Sequence, residues 1–364
     1  MGKLLKMNLQ IFAHTAQERY SSMVLAKLRK ELILKDGVVF NNDYEGNPKA
    51  GAVKVPVRDG EVAVGDYDKA TGIALGTGTT TYLDILVNKD KAVNEIIDGY
   101  VAAAVPDRLI ADRLDSAGYT LAYTLDNDGA TELLTNGLKT GISMVDSTNI
   151  YDQVVDIRKA MSKDNIPNDG KRYLLATPEG YAMMLKDKDN FIRQADLSQN
   201  IKATGAIGQY AGFNVYEWND ATANLLFIAG HPRYATRVNE WSVPVAINDL
   251  TNTYIGASAV QGRMVYTHKV LRNKGVRAVF YPSVLTLTAE EGSTAGKTII
   301  TVAEVGTFKY KLNPTSRAVY DQADSGFTAL TSGTTEITAA AGTVIEVVQI
   351  VESKVAAVGY IEAV

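Results

Sequence analysis

"IYDQVVDIRKAMSKDNIPNDGKRYLLATPEGYAMML", from Ile150 to Leu185, is the stretch whose reading decides the fold class. Ile150, Val154, Ile157 and Met161 recur at helical spacing and give a helix one apolar stripe, with Ser147 or Thr148 as its cap. Pro167 forbids its continuation, because proline lacks the N–H that a helix interior needs. "RYLLA" is short and apolar, as a buried strand is, and Thr177-Pro178 then supplies a hydroxyl cap followed by proline at the first helical position. A helix N-terminus at the end of a strand offers free N–H groups to an anion. Here Glu179 already sits in that first turn and no Lys or Arg converges on it, so the stretch reads as scaffold and not as a ligand loop.

Downstream, "FNVYEW", "NLLFIAG" and the long "GRMVYTHKVLRNKGVRAVFY" read as strands, the last with a turn at Asn273–Gly275, so the middle of the chain is mixed α+β. Upstream, Val93, Ile96, Ile97, Tyr100, Val101, Ala104 and Val105 form one apolar stripe, which Pro106 kinks and Leu109, Ile110 and Leu114 continue. This spacing predicts a long helix over 91–126, ended by "DNDG" at Asp126–Gly129. Before it, Val53, Val55 and Val57 alternate with polar neighbours, as do Val62 and Val64, and "TTTYLDILV" closes a long β-hairpin with a Gly/Thr-rich tip, "TGIALGTGTTT". The hairpin has few large residues to bury and is expected to project from the body. At the start, Thr15-Ala-Gln-Glu18 is a capping box opening an amphipathic helix through Tyr20, Val24, Leu28 and Leu32, stopped at Gly37. Beyond Tyr281 the composition shifts: residues 285–364 hold 13 threonines and no helical stripe. There "KTIITV", "TFKYKL", "TVIEVVQIV" and "KVAAVGYIEA" read as strands of a small sandwich or barrel, with a domain boundary near Pro282.

The 364 residues are 46% hydrophobic and 21% charged, the balance of a globular chain with a sizeable core. The absence of cysteine excludes disulfides, thiolate nucleophiles and cysteine-based metal sites. No apolar run approaches the ~20 residues of a membrane helix, and the start "MGKLLKMNLQIFAH" has too short an apolar core for a secretory signal, so use inside a cell is expected. Residues 1–35 carry seven Lys/Arg and two acids, whereas 285–364 carry five and nine. A basic arm on an acidic body can touch a polyanion or an acidic partner, although a solvated helix face is the commoner reason.

Candidate chemistry is sparse. His14, His231 and His268 lack the i,i+4 pairing of a helical zinc site, and His268 falls in a strand-like alternation with Met264, Tyr266 and Val270. "GSTAGKT" at Gly292–Thr298 imitates a phosphate loop, but is one residue short and precedes the β-branched "IITVAEV" where a helix must follow. "GTGTTT" at Gly76 lacks the third glycine of a dinucleotide fingerprint. "LDNDGATE" from Leu125 places its glycine too early for a calcium loop and reads as a helix-stopping turn. No nucleophile, base and oxyanion site assemble, so the expectation is a chain that is not an enzyme, with no catalytic, cofactor-binding or metal residues and no cofactor.

The order of parts carries a resemblance. "KAMSKDNIPNDGKRYLLATPEGYAMML", then "GAIGQYAGFNVYEWN" at Gly205–Asn219, then "GRMVYTHKV" resembles the major capsid proteins of tailed bacteriophages, in which an "n-v-P … R-y-l-l-a-t-P" block is followed by "i-G … G-f-n-V-y". The likeness covers roughly residues 7–285. It implies a Hong Kong 97-type capsid fold: an N-terminal arm over 1–42, an extended β-loop over 43–90, and a capsid core over 91–284. That core would comprise a spine helix, an axial domain within about 145–262, and a peripheral sheet completed by strands such as Val270–Tyr281. Residues 285–364 depart from the minimal pattern and resemble the Ig-like modules that some capsids carry outside the shell.

The function so implied is self-assembly into pentamers and hexamers of an icosahedral shell around double-stranded DNA. Implied partners are further copies of the chain, a scaffolding protein and a portal, with at most non-specific DNA contact and no membrane. The implied location is the virion, assembled in the host bacterial cytoplasm. Three rivals stand beside this reading: an encapsulin-like nanocompartment, a surface adhesin with a glycan-binding β-domain, and an enzyme of unknown mechanism.

Overall fold

The computed structural model describes residues 29, 32–44, 52–58, 62, 64–73, 80–99, 109–187, 207–250 and 254–364. The expected N-terminal helix, apart from Arg29 and residues from 32 on, lies outside the described residues, as do the middle of the hairpin tip and His14. The α-helices among the described residues are α1 (Leu109–Asn136), α2 (Ile150–Lys163) and α3 (Pro178–Lys186).

The stretch Ile150–Leu185 folds as its pattern predicts. Ile150, Val154, Ile157 and Met161 are the buried stripe of α2. Its N-cap is Asn149, one or two residues beyond the expected Ser147 or Thr148. The carboxylate of Asp146 accepts from the N–H groups of Thr148 and Asn149, while Asn149 Oδ1 accepts from Asp146 N. Three hydrogen bonds to the Asp146 carboxylate keep its pKa below the ordinary range, the Thr148 hydroxyl foremost. After α2, Asn165 turns the chain in the left-handed region (φ 59). The buried guanidinium of Arg172 gathers this turn: Nε donates to Pro167 O at 2.9 Å, Nη2 to Ile166 O at 2.6 Å, and both Nη atoms to Ser162 Oγ at 3.3 Å. Tyr173–Ala176 is a wholly buried strand, and the Thr177 hydroxyl accepts from Gly180 N to start α3.

That strand lies inside a six-stranded sheet in the order Leu138–Gly141, Val276–Phe280, Leu225–Gly230, Tyr173–Ala176, Phe213–Glu217, Gln209–Tyr210. Alternation sends Leu174 and Ala176 to one face, with the inward side chains of α2 and α3, and Tyr173 and Leu175 to the other, with Leu34, Phe40 and Leu133. A strand covered on both faces reads as a continuous apolar run. Val276–Phe280 is the second strand here, parallel to Leu138–Gly141 and antiparallel to Leu225–Gly230.

Contact density divides the chain into two compact units, the smaller including 91–121 and 243–263. A three-stranded sheet of Lys89–Asp98, Ala257–Val270 and Ala235–Leu250 contributes to it. Within this unit Ile97, Ala117 and Val260 are buried, with Val93, Leu114 and Val245 against them. The helix expected over 91–126 is thus corrected at both ends. Residues up to Asp98 are strand, and the helix runs on through "DNDG" to Asn136. The first miss has a geometric reason: Val93 and Ile97 are four apart, and four places two residues on the same side of a helix and of a strand alike.

Residues 283–364 form two further sheets, one of five strands and one of three. The four predicted strands are present as Lys297–Val302, Thr307–Leu312, Val344–Val351 and Lys354–Glu362. Leu287–Glu291, Thr328–Leu330 and Glu336–Thr338 complete the pattern and were not expected, being short or acidic. One apolar cluster, including Ile300, Phe308, Ile337 and Val347, is their common core.

Candidate assembly surface

Three arrangements in the larger unit bear on function. In the first, "DNDGATE" bolts neighbouring segments to α1. Asp126 Oδ1 accepts from Leu34 N at 3.0 Å, Asp128 Oδ2 from the Tyr266 hydroxyl at 2.9 Å, and Glu132 Oε1 from Val270 N at 3.0 Å. Gly129 lets the Phe40 ring close on the helix: a Cβ there would lie 3.0 Å from that ring and 3.3 Å from His268 Nε2. Sequence reasoning took these acids for a turn, since each is polar and the glycine breaks helix propensity. Their partners lie 92 to 138 residues away, and no local signal announces them.

Beside them sits a buried polar node. Arg237 donates from Nε to His268 Nε2 at 2.9 Å, from Nη1 to Asp36 at 3.0 Å and from Nη2 to Leu34 O at 2.6 Å, with its guanidinium 5.3 Å from the Phe40 ring centre. His268 therefore accepts through Nε2 and carries its proton on Nδ1. Burial, then the charges of Arg237 and Lys89, push its pKa down to about 3. The strand-face placement expected for His268 holds. His231 is likewise committed, with Nε2 2.9 Å from Asp169 and Nδ1 accepting from Arg233 N. These histidines tie residues 34–41 and the turn around Pro232 to the sheet. Among the described residues no group of three or more His, Asp or Glu is placed to hold a metal. No described helix is long and apolar enough to cross a membrane.

The second arrangement is the hairpin, Ala52–Arg58 paired antiparallel with Thr80–Leu86. Its base is anchored, with Val55 and Ile85 buried against Val238. Further out it exposes apolar side chains: Val64 is 97% exposed, Tyr67 73% and Tyr82 65%. Exposed apolar groups clustered on one element mark a surface that another molecule covers.

The third is the seam between 283–364 and the six-stranded sheet. Leu138–Gly141 is an edge strand, and an unpaired edge invites further strand pairing. Here the chain caps it: Tyr320 N donates to Ile142 O at 3.0 Å, Ser143 bridges Val319, and the Tyr320 ring stacks on Phe280 at 5.6 Å. Gly141 permits this approach, since a Cβ there would collide with Tyr320 O. "GSTAGKT" is a turn before a strand, closed by Gly292 N donating to Lys297 O at 2.7 Å, with Lys297 paired to Glu336 at 2.6 Å.

No family model matches the chain, and no curated protein matches it in sequence. Solved structures do match in fold. A structure from Mycobacterium phage Che8 superposes with a TM-score of 0.61 at 22% identity, covering 74% of this chain and 98% of that one. The capsid of Cyanophage P-SCSP1u gives 0.61 at 15% identity, over 73% and 93%. The mature capsid of bacteriophage PhiM1 gives 0.58 at 13% identity, over 72% and 91%. The chain has the fold of phage capsid proteins, an α+β architecture built almost throughout the length of those neighbours and extended beyond it.

Proposed function

We propose that the chain is the major capsid protein of a tailed bacteriophage, a non-enzymatic subunit that assembles into pentamers and hexamers of a shell enclosing double-stranded DNA. The observation that carries this is the fold match, which takes in 98% of the Che8 chain and 93% of the P-SCSP1u capsid chain. The hairpin supports it independently, because its exposed apolar groups have no cover within the larger unit.

In this reading the fold is of Hong Kong 97 type. The hairpin is the extended loop, α1 the spine helix, the six-stranded sheet the axial domain and the three-stranded sheet the peripheral one. Residues 1–42 are the N-terminal arm, and 285–364 an Ig-like domain on the outer surface. About a quarter of the chain falls outside each match, a share close to the size of that domain. Scaffolding protein and portal are the expected partners, and DNA is met through backbone contacts that weaken with salt. Assembly takes place in the host bacterial cytoplasm and the product is the virion.

The test is sedimentation and negative-stain electron microscopy of the purified chain, alone and with the scaffold candidate encoded beside it. Shells, tubes or rings of five and six subunits support the proposal. A monomer or dimer under every condition rejects it, and enzyme cargo packed inside shells in place of DNA would favour the nanocompartment.

A further inference from the structure

Segment 313–327 joins two sheets, and only one of them belongs to its own domain. Alternation along Val344–Val351 sends Ile345 and Val347 into the common core of 283–364, and Glu346 and Val348 to the opposite face of the five-stranded sheet. Segment 313–327 is seated on that face. Ala318 is buried there with Val348, Val355 and Val358, and the fully buried carboxylate of Glu346 accepts from Ala318 N and from the Tyr360 hydroxyl, both at 2.7 Å. Further on, Asp321 N donates to Val355 O and Val355 N to Gln322 O, both at 2.9 Å, while Asp324 pairs with Lys309 at 2.7 Å. Between these anchors Val319 and Tyr320 reach the six-stranded sheet. Tyr320 N bonds Ile142 O, Val319 bridges Ser143 antiparallel, and the rings of Tyr320 and Phe280 stack.

What this covers is the unguarded part of the edge. Leu138–Gly141 carries the exposed Lys139, and a charge on an edge strand opposes pairing with another chain. Ile142, Ser143, Met144 and Val145 carry none. With Tyr320 displaced, Ile142 O loses its donor and Phe280 its stacked ring, which leaves an open backbone group beside an apolar side chain, the combination that templates strand addition. The linker is clamped as well. Asn224 Nδ2 donates to Tyr281 O at 3.0 Å and Ser283 Oγ at 2.8 Å, and Ser283 and Val284 pair in parallel with Ala357 and Val358. A module that only hangs from the body needs neither the seated segment nor the clamp.

We propose that 313–327 is a built-in guard whose role is to deny the edge at 142–143 to a second copy of the chain, which makes 283–364 part of the subunit's fold and not a detachable module. The excluded partner is the same edge of another copy, because an open edge strand can pair with its own copy antiparallel about a two-fold axis, the commonest symmetry of two identical chains. The inference concerns the single subunit, so it goes beyond the shell reading and does not depend on it.

The chain has no cysteine, so introduced thiols report position directly. In the full chain, Ser143→Cys with Val319→Cys forms a disulfide within one chain under mild oxidation, since antiparallel partners stand about 4.5–5.5 Å apart at Cα. Gly141→Val, which displaces Tyr320, combined with Ser143→Cys gives roughly fivefold more disulfide-linked dimer than Ser143→Cys alone, together with irregular sedimenting aggregate, as a freed edge should. Hydrogen exchange is followed in parallel: fast exchange at the Tyr320 amide shows the guard lifted, and slow exchange along Val344–Val351 shows the domain still folded. If Gly141→Val unfolds the domain, Tyr320→Ser, which removes the ring and adds no bulk, takes its place with the same readout. Paired cysteines that do not bridge within the chain, or no gain in dimer from either opening variant, overturn the proposal. Shell formation by the unaltered chain bears on the proposed function alone.

Discussion

Protonating His268 would set a second positive charge against Arg237 in a site closed to water. Its pKa of about 3 lies well below the ordinary value of 6.5. The unfolded chain takes up this proton and the folded chain resists it, so the stability His268 carries is complete above about pH 6.5 and is lost as pH falls toward 3. The melting temperature of the chain is therefore expected to fall across that window. His268→Gln, which keeps an acceptor for Arg237, should flatten this part of the profile; an unchanged slope would show that other groups set it. Two glycines of α1 predict opposite signs. Nothing lies within 4 Å of a Cβ on Gly118, so Gly118→Ala should stabilise by about 0.5–1 kcal/mol. A Cβ on Gly129 meets Phe40 at 3.0 Å, so Gly129→Leu should cost about 1–3 kcal/mol, both read by thermal unfolding.

Among the elements, α3 and the capped sheet edge give the sharpest tests. The Thr177 hydroxyl accepts from Gly180 N and donates to Leu226 O at 3.0 Å in a buried position, so Thr177→Ala should destabilise by about 1–2 kcal/mol in denaturant titration. Gly141→Val should prise Tyr320 from its sheet edge. Hydrogen exchange at the Tyr320 amide is then expected to accelerate, while the Val344–Val351 strand keeps its protection. Uniform acceleration in both places would mean global unfolding and no separable seam. What the sequence made legible follows the same division. The α2 stripe, the Thr177 cap and the valine-rich strands were readable because each is specified by residues within one or two turns of one another. Lys89–Asp98 was misread because its apolar spacing fits two periods, and α1 was cut short because Asp126, Asp128, Glu132 and Gly129 are explained only by distant Leu34, Tyr266, Val270 and Phe40. The surface that matters could not be mapped, since whether Val64 is exposed depends on what the folded chain leaves uncovered.

At the scale of the whole molecule, buried polar side chains fix segments to one another: Arg172 gathers the turn after α2 and Arg237 fastens the segment around Leu34. The domain at 285–364 is joined to the sheet by hydrogen bonds and a stacked ring pair as well as by a single strand of chain, so it is expected to keep its orientation in any assembly. The central claim is that many copies close into a shell, and cryo-electron microscopy of the purified chain, with its scaffold where needed, tests it most directly. The account predicts closed particles with five- and six-fold clusters in which the hairpin of each subunit lies on a neighbour. Discrete small oligomers under all conditions, or particles in which the hairpin faces solvent unpartnered, would contradict it.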